Sequence, residues 1–437
     1  MSSPLFLNRI RWVFACSVLS LSYPSALADV RAKLTTEAAY EWERGDIGKT
    51  EAVLDLEWTG SLGKTTSFTV IPRGRMDLAD ALDTDTRRPD NYSRINGPIE
   101  ENPSIRLELA EAYTDHYLGW GSMRLGKQQV VWGQADGLKV LDVINPQSLR
   151  EFNLPDFEDS RIPTSMLNLE IPTGVDSSVQ LLVIPDLTFN ELADPGSTFE
   201  MTSPELVPAP ATGVPVTVER TRRPAGGNLE TGVRWSAFVN GWDLSTNYFY
   251  YFQDNPVIYR AFANGQVRVA PTYERSHLAG ITASNAFGDL VLRLELGGIS
   301  DSYQVRSDLE NRGIHNTPEV ASVVGLDYHG ITNWMISYQW FQSTLTDYDD
   351  RIVRKRTTLR HTLLLKKKSW NETLETELFA LLNQDYQDGQ VRGKVSYQLT
   401  DHWEIWAGAD VFFGDRAGPF GQFRDTDRLL LGWETAF

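Results

Sequence analysis

The sequence predicts an all-β fold: a transmembrane, antiparallel, up-and-down β-barrel of about 18 strands, with 16 as the alternative count. Three observations predict it. Apolar and polar residues alternate in segments that recur from Thr35 to the C-terminus, the connections alternate between short and long, and tryptophans gather at the short-connection ends. A period of two sets successive side chains on opposite faces of a strand. It also keeps the mean hydropathy negative, at −0.32, because lipid-facing and lumen-facing residues average out.

The expected strands are 35–43, 49–59, 65–76, 104–115, 120–131, 164–171, 177–185, 229–239 and 242–252 in the first half. The second half supplies 272–284, 289–299, 318–328, 332–343, 357–368, 371–382, 389–399, 402–412 and 427–437. Leu290, Leu292, Leu294 and Leu296 against Val291, Arg293 and Glu295 show the pattern. Every second connection is short: 60–64, 117–119, 172–176, 240–241, 285–288, 329–331, 369–370 and 400–401. The intervening ones include 77–103, 132–163, 186–228, 253–271, 300–317, 344–356 and 413–426. Short periplasmic turns and long external loops are the signature of outer-membrane barrels, whereas a soluble sandwich has no reason to alternate them. The Pro-rich stretch 186–228 reads as an external flap.

Trp58, Trp120, Trp242, Trp334, Trp370, Trp403 and Trp433 lie near the short-turn end of their strands. An indole there buries its ring and keeps its N–H wet, which marks a membrane interface. On the last strand Leu429, Leu431, Trp433, Thr435 and Phe437 share one face. Ending on Phe437, this strand resembles the C-terminal signal read by the barrel assembly machinery, with Trp433 and Phe437 as its carriers.

The N-terminus reads as an export leader, with Arg9 and Arg11, an apolar run from Trp12 to Leu21, and the small-x-small site Ala26-Leu27-Ala28. Residues 1–28 are therefore expected to be a signal peptide and 29–437 a single barrel domain, placed in a bacterial outer membrane. Cys16 is the sole cysteine, so the exported chain carries neither a disulfide nor a thiolate site. The net charge is −17, which argues against a nucleic-acid partner.

Alternation also assigns the inner face. Arg106, Glu108, Arg124, Arg293, Glu295, Arg360, Glu375, Glu377, Arg392, Lys394, Glu404 and Asp410 are expected to line a lumen of mixed charge. The long connection 132–163 carries Val140, Leu141, Val143 and Ile144, which an exposed loop does not need. Folded inward, it would form a constriction, with Asp136, Asp142, Arg150, Asp159 and Arg161 as its charges.

The run Arg124-Leu125-Gly126-Lys127-Gln128-Gln129-Val130-Val131-Trp132-Gly133, followed by Asp136, Asp142, Asn145, Pro146 and Arg150, resembles a family of bacterial outer-membrane barrels classed as a domain of unknown function. Leu125-Gly126-Lys127-Gln128 is similar to an element of alginate-export-type barrels. The resemblance implies a barrel and brings no catalytic residues.

His116, His277, His315, His329, His361 and His402 form no His-Glu-x-x-His pair, and no Gly-x-Ser-x-Gly elbow occurs. No enzyme, metal or cofactor is implied. The pattern points to a porin-like channel for passive, selective diffusion of small polar or organic-acid solutes. The alternative is a closed barrel serving as receptor, adhesin or partner of an envelope export system. Expected partners are outer-membrane lipid and lipopolysaccharide, the assembly machinery and small solutes. The sequence leaves the oligomeric state open.

Overall fold

A computed structural model describes residues 28–79, 81–84, 91–208 and 213–437. The expected leader up to residue 27, with Cys16, lies outside the described residues.

Eighteen antiparallel strands form the wall. They are β1 (Ala28–Glu41), β2 (Asp46–Ser61), β3 (Thr66–Asp77), β4 (Ile105–Tyr117), β5 (Ser122–Gln128), β6 (Thr164–Pro172), β7 (Ser177–Ile184), β8 (Glu230–Val239) and β9 (Trp242–Phe252). The rest are β10 (Arg275–Phe287), β11 (Leu290–Val305), β12 (Ile314–Tyr328), β13 (Trp334–Leu345), β14 (Thr357–Ser369), β15 (Leu374–Asn383), β16 (Asp388–Thr400), β17 (Trp403–Phe413) and β18 (Arg428–Ala436). Each strand pairs with its sequence neighbours, and β18 closes on β1 in a ladder from Lys33–Ala436 to Glu41–Arg428. No sheet edge is left to meet lipid, as a membrane requires.

The count is 18, not 16, and the expected strands all form. Their ends shift where local chemistry overrides the alternation. β1 starts at Ala28, because its early residues pair with β2 as far as Gly60. β5 stops at Gln128, whose buried amide donates to the Met166 carbonyl at 3.2 Å instead of continuing the ladder. Just before it, Gly126 sits at φ 131°, and a Cβ there would run into the Ala112 carbonyl. Pro72 falls at the bulge between β3 and β4, where its missing N–H breaks no regular pair. Asn240 and Gly241, both at positive φ, make the two-residue turn between β8 and β9.

The outer face is an apolar belt with Leu54, Leu56, Ile281, Leu296, Leu363 and Leu429 exposed. Below it the tryptophans are banded: Trp58, Trp120, Trp370 and Trp403 are exposed, and Trp403 stacks on Trp433 at 5.1 Å. Towards the long-loop side, Tyr248 and Tyr338 hydrogen-bond His277 Nδ1 and His361 Nδ1 at 2.6 and 2.7 Å.

The long connections fold over the mouth. Residues 188–203 are largely buried there rather than forming a free flap. Phe189 stacks on Tyr273 at 3.5 Å, and Thr198 hydrogen-bonds Glu41 at 3.1 Å. Val216–Val218 joins the hairpin Val257–Ala263 and Gln266–Thr272 in a small separate sheet.

Candidate functional site

The loop 129–163, between β5 and β6, lies inside the barrel. Asn145 clasps its neck. Its Oδ1 accepts the Val130 N–H at 2.7 Å on the outgoing arm, and its Nδ2 donates to the Gln128 and Ile162 carbonyls, both at 3.2 Å. The Pro146 carbonyl accepts the Ile162 N–H at 2.7 Å. One amide thus ties both arms together, so the loop leaves the wall as a closed unit.

From the neck the loop runs over an apolar wall. Trp132 is fully buried, with its Nε1 donating to Gln180 at 2.8 Å and its ring edge-on to Phe249. Leu141 and Val140 press on the inner wall where three glycines make room. A Cβ at Gly232 would lie 2.6 Å from the Trp132 ring, and one at Gly297 would lie 3.0 Å from both Leu141 and Val140. A Cβ at Gly280 would also collide with Leu141. Met166, Leu182, Phe249, Leu278, Val323 and Phe341 complete this seat on β6 to β13. Each buried side chain of this size contributes about 1.5–3 kcal/mol.

The tip carries Asp136, whose Oδ2 accepts from Arg293 at 2.6 Å and from Gln339 at 3.1 Å. Arg293 also pairs with Asp327 at 2.8 Å, and Glu295 accepts the Gln134 N–H. Asp142 binds Arg161 at 2.7 Å and Lys139 at 3.0 Å, joining the two arms again.

The far side of the loop is held by charge. Arg150 pairs with Asp83 at 2.9 Å and with Glu51; Glu151 pairs with Lys49 at 2.7 Å and Arg428 at 2.8 Å. Arg428 continues to Asp410 at 2.8 Å, and Lys49 to Glu37 at 3.0 Å. Burial alone would push the Glu151 carboxyl up, but Lys49, Arg428 and Arg150 hold it well below the usual carboxylate range. Burial alone would lower Arg150, yet Glu51, Asp83 and Glu151 raise it. Phe152 then packs among Phe412, Phe420 and Phe423. The chain next drops into helix α1 (Phe157–Ser160), where Asp156, Glu158 and Asp159 are exposed.

The five residues expected at a constriction therefore take two positions. Asp142 and Arg150 are buried and Arg161 half-buried in ion pairs that shape and fasten the loop; Asp136 and Asp159 keep access to solvent. Among the inner-wall charges, Arg106 is buried against Glu191 at 2.8 Å beneath the mouth loops, with Glu108 beside it at 3.3 Å. Arg124 pairs with Asp115, Lys366 with Glu377 and Arg392 with Asp410. Arg360 lies over Phe341 and Lys394 over Trp406. Glu375 and Glu404 have no ion-pair partner among the described residues. Asp83 serves Arg150, and the described residues hold no cluster of three or more metal-ligating side chains. Sequence reasoning missed Gln128, Asn145 and Glu151 as loop fasteners. It also missed the apolar inner wall, whose signal was the pairing of Gly232, Gly280 and Gly297 with the loop's Trp and Leu.

The closed 18-stranded barrel is a fold shared with outer-membrane proteins of known structure. OccAB3 of Acinetobacter baumannii shares the fold with a TM-score of 0.52 at 9% identity, over 94% of this chain and 99% of that one. OpdK of Pseudomonas aeruginosa gives 0.52 at 9%, over 94% and 98%. No curated protein matches the sequence significantly. The family model described as "Protein of unknown function (DUF1302)" matches residues 17–310, and the chain belongs to that family.

Proposed function

We propose that this protein is a channel of the bacterial outer membrane through which small polar solutes diffuse passively, with loop 129–163 as its narrowing element. The carrying observation is the loop's placement: it is seated and ion-paired within a sealed cylinder while the carboxylates of α1 stay exposed to the lumen. The apolar belt and banded indoles support the membrane setting, with lipid and lipopolysaccharide around the wall and the assembly machinery reading the β18 end. The reading is of a transporter and not an enzyme. Described histidines such as His277 and His361 are occupied with tyrosines on the outer face.

Purified folded protein in a planar bilayer is expected to give discrete conductance steps, and liposomes carrying it to swell in small sugars and amino acids. One observation favours a second reading. Phe152, Phe199, Phe412, Phe420 and Phe423 form an aromatic cluster beneath the mouth, which suits a closed receptor barrel. Folded protein without any conductance supports that role instead.

A further inference from the structure

The basic residues on the charged side of the inner wall are mostly spoken for. Arg73 lies against Asp55 in a two-point pair at 2.7 and 2.9 Å, and Arg124 against Asp115 at 2.7 and 3.2 Å. Lys366 pairs with Glu377 at 2.7 Å and Lys33 with Glu434 at 3.2 Å. A two-point arginine–carboxylate pair cancels both charges at the range of a passing ion. The acids are not matched in the same way. Glu57, Glu170, Asp243 and Glu404 sit on the inner-facing register of β2, β6, β9 and β17, and no described residue ion-pairs with them. The α1 carboxylates Asp156, Glu158 and Asp159, exposed where the loop projects into the lumen, likewise have no ion-pair partner among the described residues. The cations without an ion pair on the inward register, among the described residues, include Arg234, Arg360, Lys394 and Lys127, and each is engaged otherwise. Arg234 donates to the Val131 carbonyl at 3.3 Å and Lys127 to the Leu109 carbonyl, while Arg360 sits 5.8 Å over the Phe341 ring and Lys394 4.6 Å over the Trp406 ring.

We infer that the lumen is cation-preferring, and that the α1 carboxylates Asp156, Glu158 and Asp159 are its main specificity determinants, so that organic cations and cationic amino compounds pass in preference to organic acids. The inference rests on the channel reading and narrows its solute class. It requires no bound ion: the carboxylates act through the field they add to a wall whose own charges largely cancel, and a low-dielectric cylinder focuses that field along the path. In water a unit charge about 8 Å from the path changes local ion occupancy about two-fold.

The test is the reversal potential of single channels in a KCl gradient at low salt, for wild type and for the triple variant Asp156→Asn, Glu158→Gln, Asp159→Asn. A gel-mobility shift on heating verifies that both are folded. Wild type is expected to pass K⁺ over Cl⁻, with the ratio falling at least two-fold towards unity in the triple variant. The wild-type preference is also expected to shrink near 1 M salt, where the Debye length is about 3 Å. A purely structural role for α1 would alter conductance or stability and leave the reversal potential in place. Conducting channels that prefer Cl⁻, or a triple variant with unchanged selectivity, overturn the charge assignment and leave the channel standing. Folded protein without conductance overturns the channel itself and the assignment with it.

Discussion

The two sides of the lumen are built from different chemistry. From β6 to β13 the inner wall beneath the loop is mostly apolar, with Leu182, Phe249, Leu278 and Val323 buried against Trp132 and Leu141, and its charged patch at the loop tip is the Asp136–Arg293–Asp327 group, with Glu295 beside it. From β14 through β18 to β5 it is laced with ion pairs, and the loop meets it through Arg150 and Glu151. Apolar burial is strong but undirected and tolerates sliding. Buried ion pairs add little net energy, yet removing one partner is expensive because the other charge stays desolvated. The apolar side holds the loop down and the charged side fixes where it lies.

Five experiments break or sharpen that contrast. The largest effect is expected on removing the element common to both sides. With residues 134–160 replaced by a short linker, unitary conductance in planar bilayers is expected to rise at least about two-fold. Unchanged conductance would mean that the loop does not narrow the path.

Arg150→Ala breaks the charged side alone. It takes the guanidinium from Asp83 and from Glu51, which keeps Lys49 and Arg75 nearby, and is expected to cost about 1.5–3 kcal/mol in a denaturant titration. The same latch predicts a pH profile. Glu151 has a folded-state pKa below its unfolded value, so its contribution is complete above about pH 4–5 and is lost as pH falls through the lower folded value. Stability should hold between neutrality and about pH 4.5 and drop only in stronger acid, and Glu151→Gln should flatten that drop.

Gly280→Leu overfills the apolar side, where Leu141 already occupies the space of a Cβ. A loss of about 1–3 kcal/mol is expected. The equivalent change at Gly298, on the outward face of β11 and clear of the loop, should cost less. Trp132→Phe is the mildest. It keeps most of the buried ring and removes the Nε1 bond to Gln180, for about 1 kcal/mol.

The wall was legible because a strand's period of two is written in every residue pair. The eighteen segments, the alternation of connection lengths and the Trp band needed no tertiary knowledge. Ends were less legible, since the start of β1 and the stop of β5 depend on a pairing partner and on the Gln128 side chain. The inner face was half legible. Parity assigned Arg293, Glu377 and Lys394 inward, but it could not tell that Arg106 and Asp410 are shut away from water by loops. Nor could it tell that the inward Leu182, Phe249 and Val323 are apolar because a remote loop covers them. The run Val140, Leu141, Val143, Ile144 was the readable clue to that loop; the glycines that receive it lie about 100 residues or more downstream.

The most direct test of the account is a cysteine cross-link between the loop and the apolar wall, in a background with Cys16 replaced. Val140 and Gly297 are close enough that a Cβ at Gly297 would lie 3.0 Å from Val140 Cγ1. The account predicts that Val140→Cys with Gly297→Cys oxidises readily in the folded barrel and shifts its mobility, while Val140→Cys with Gly298→Cys, on the lipid face, does not. Equal cross-linking of both pairs, or of neither, would contradict a loop seated inside the barrel.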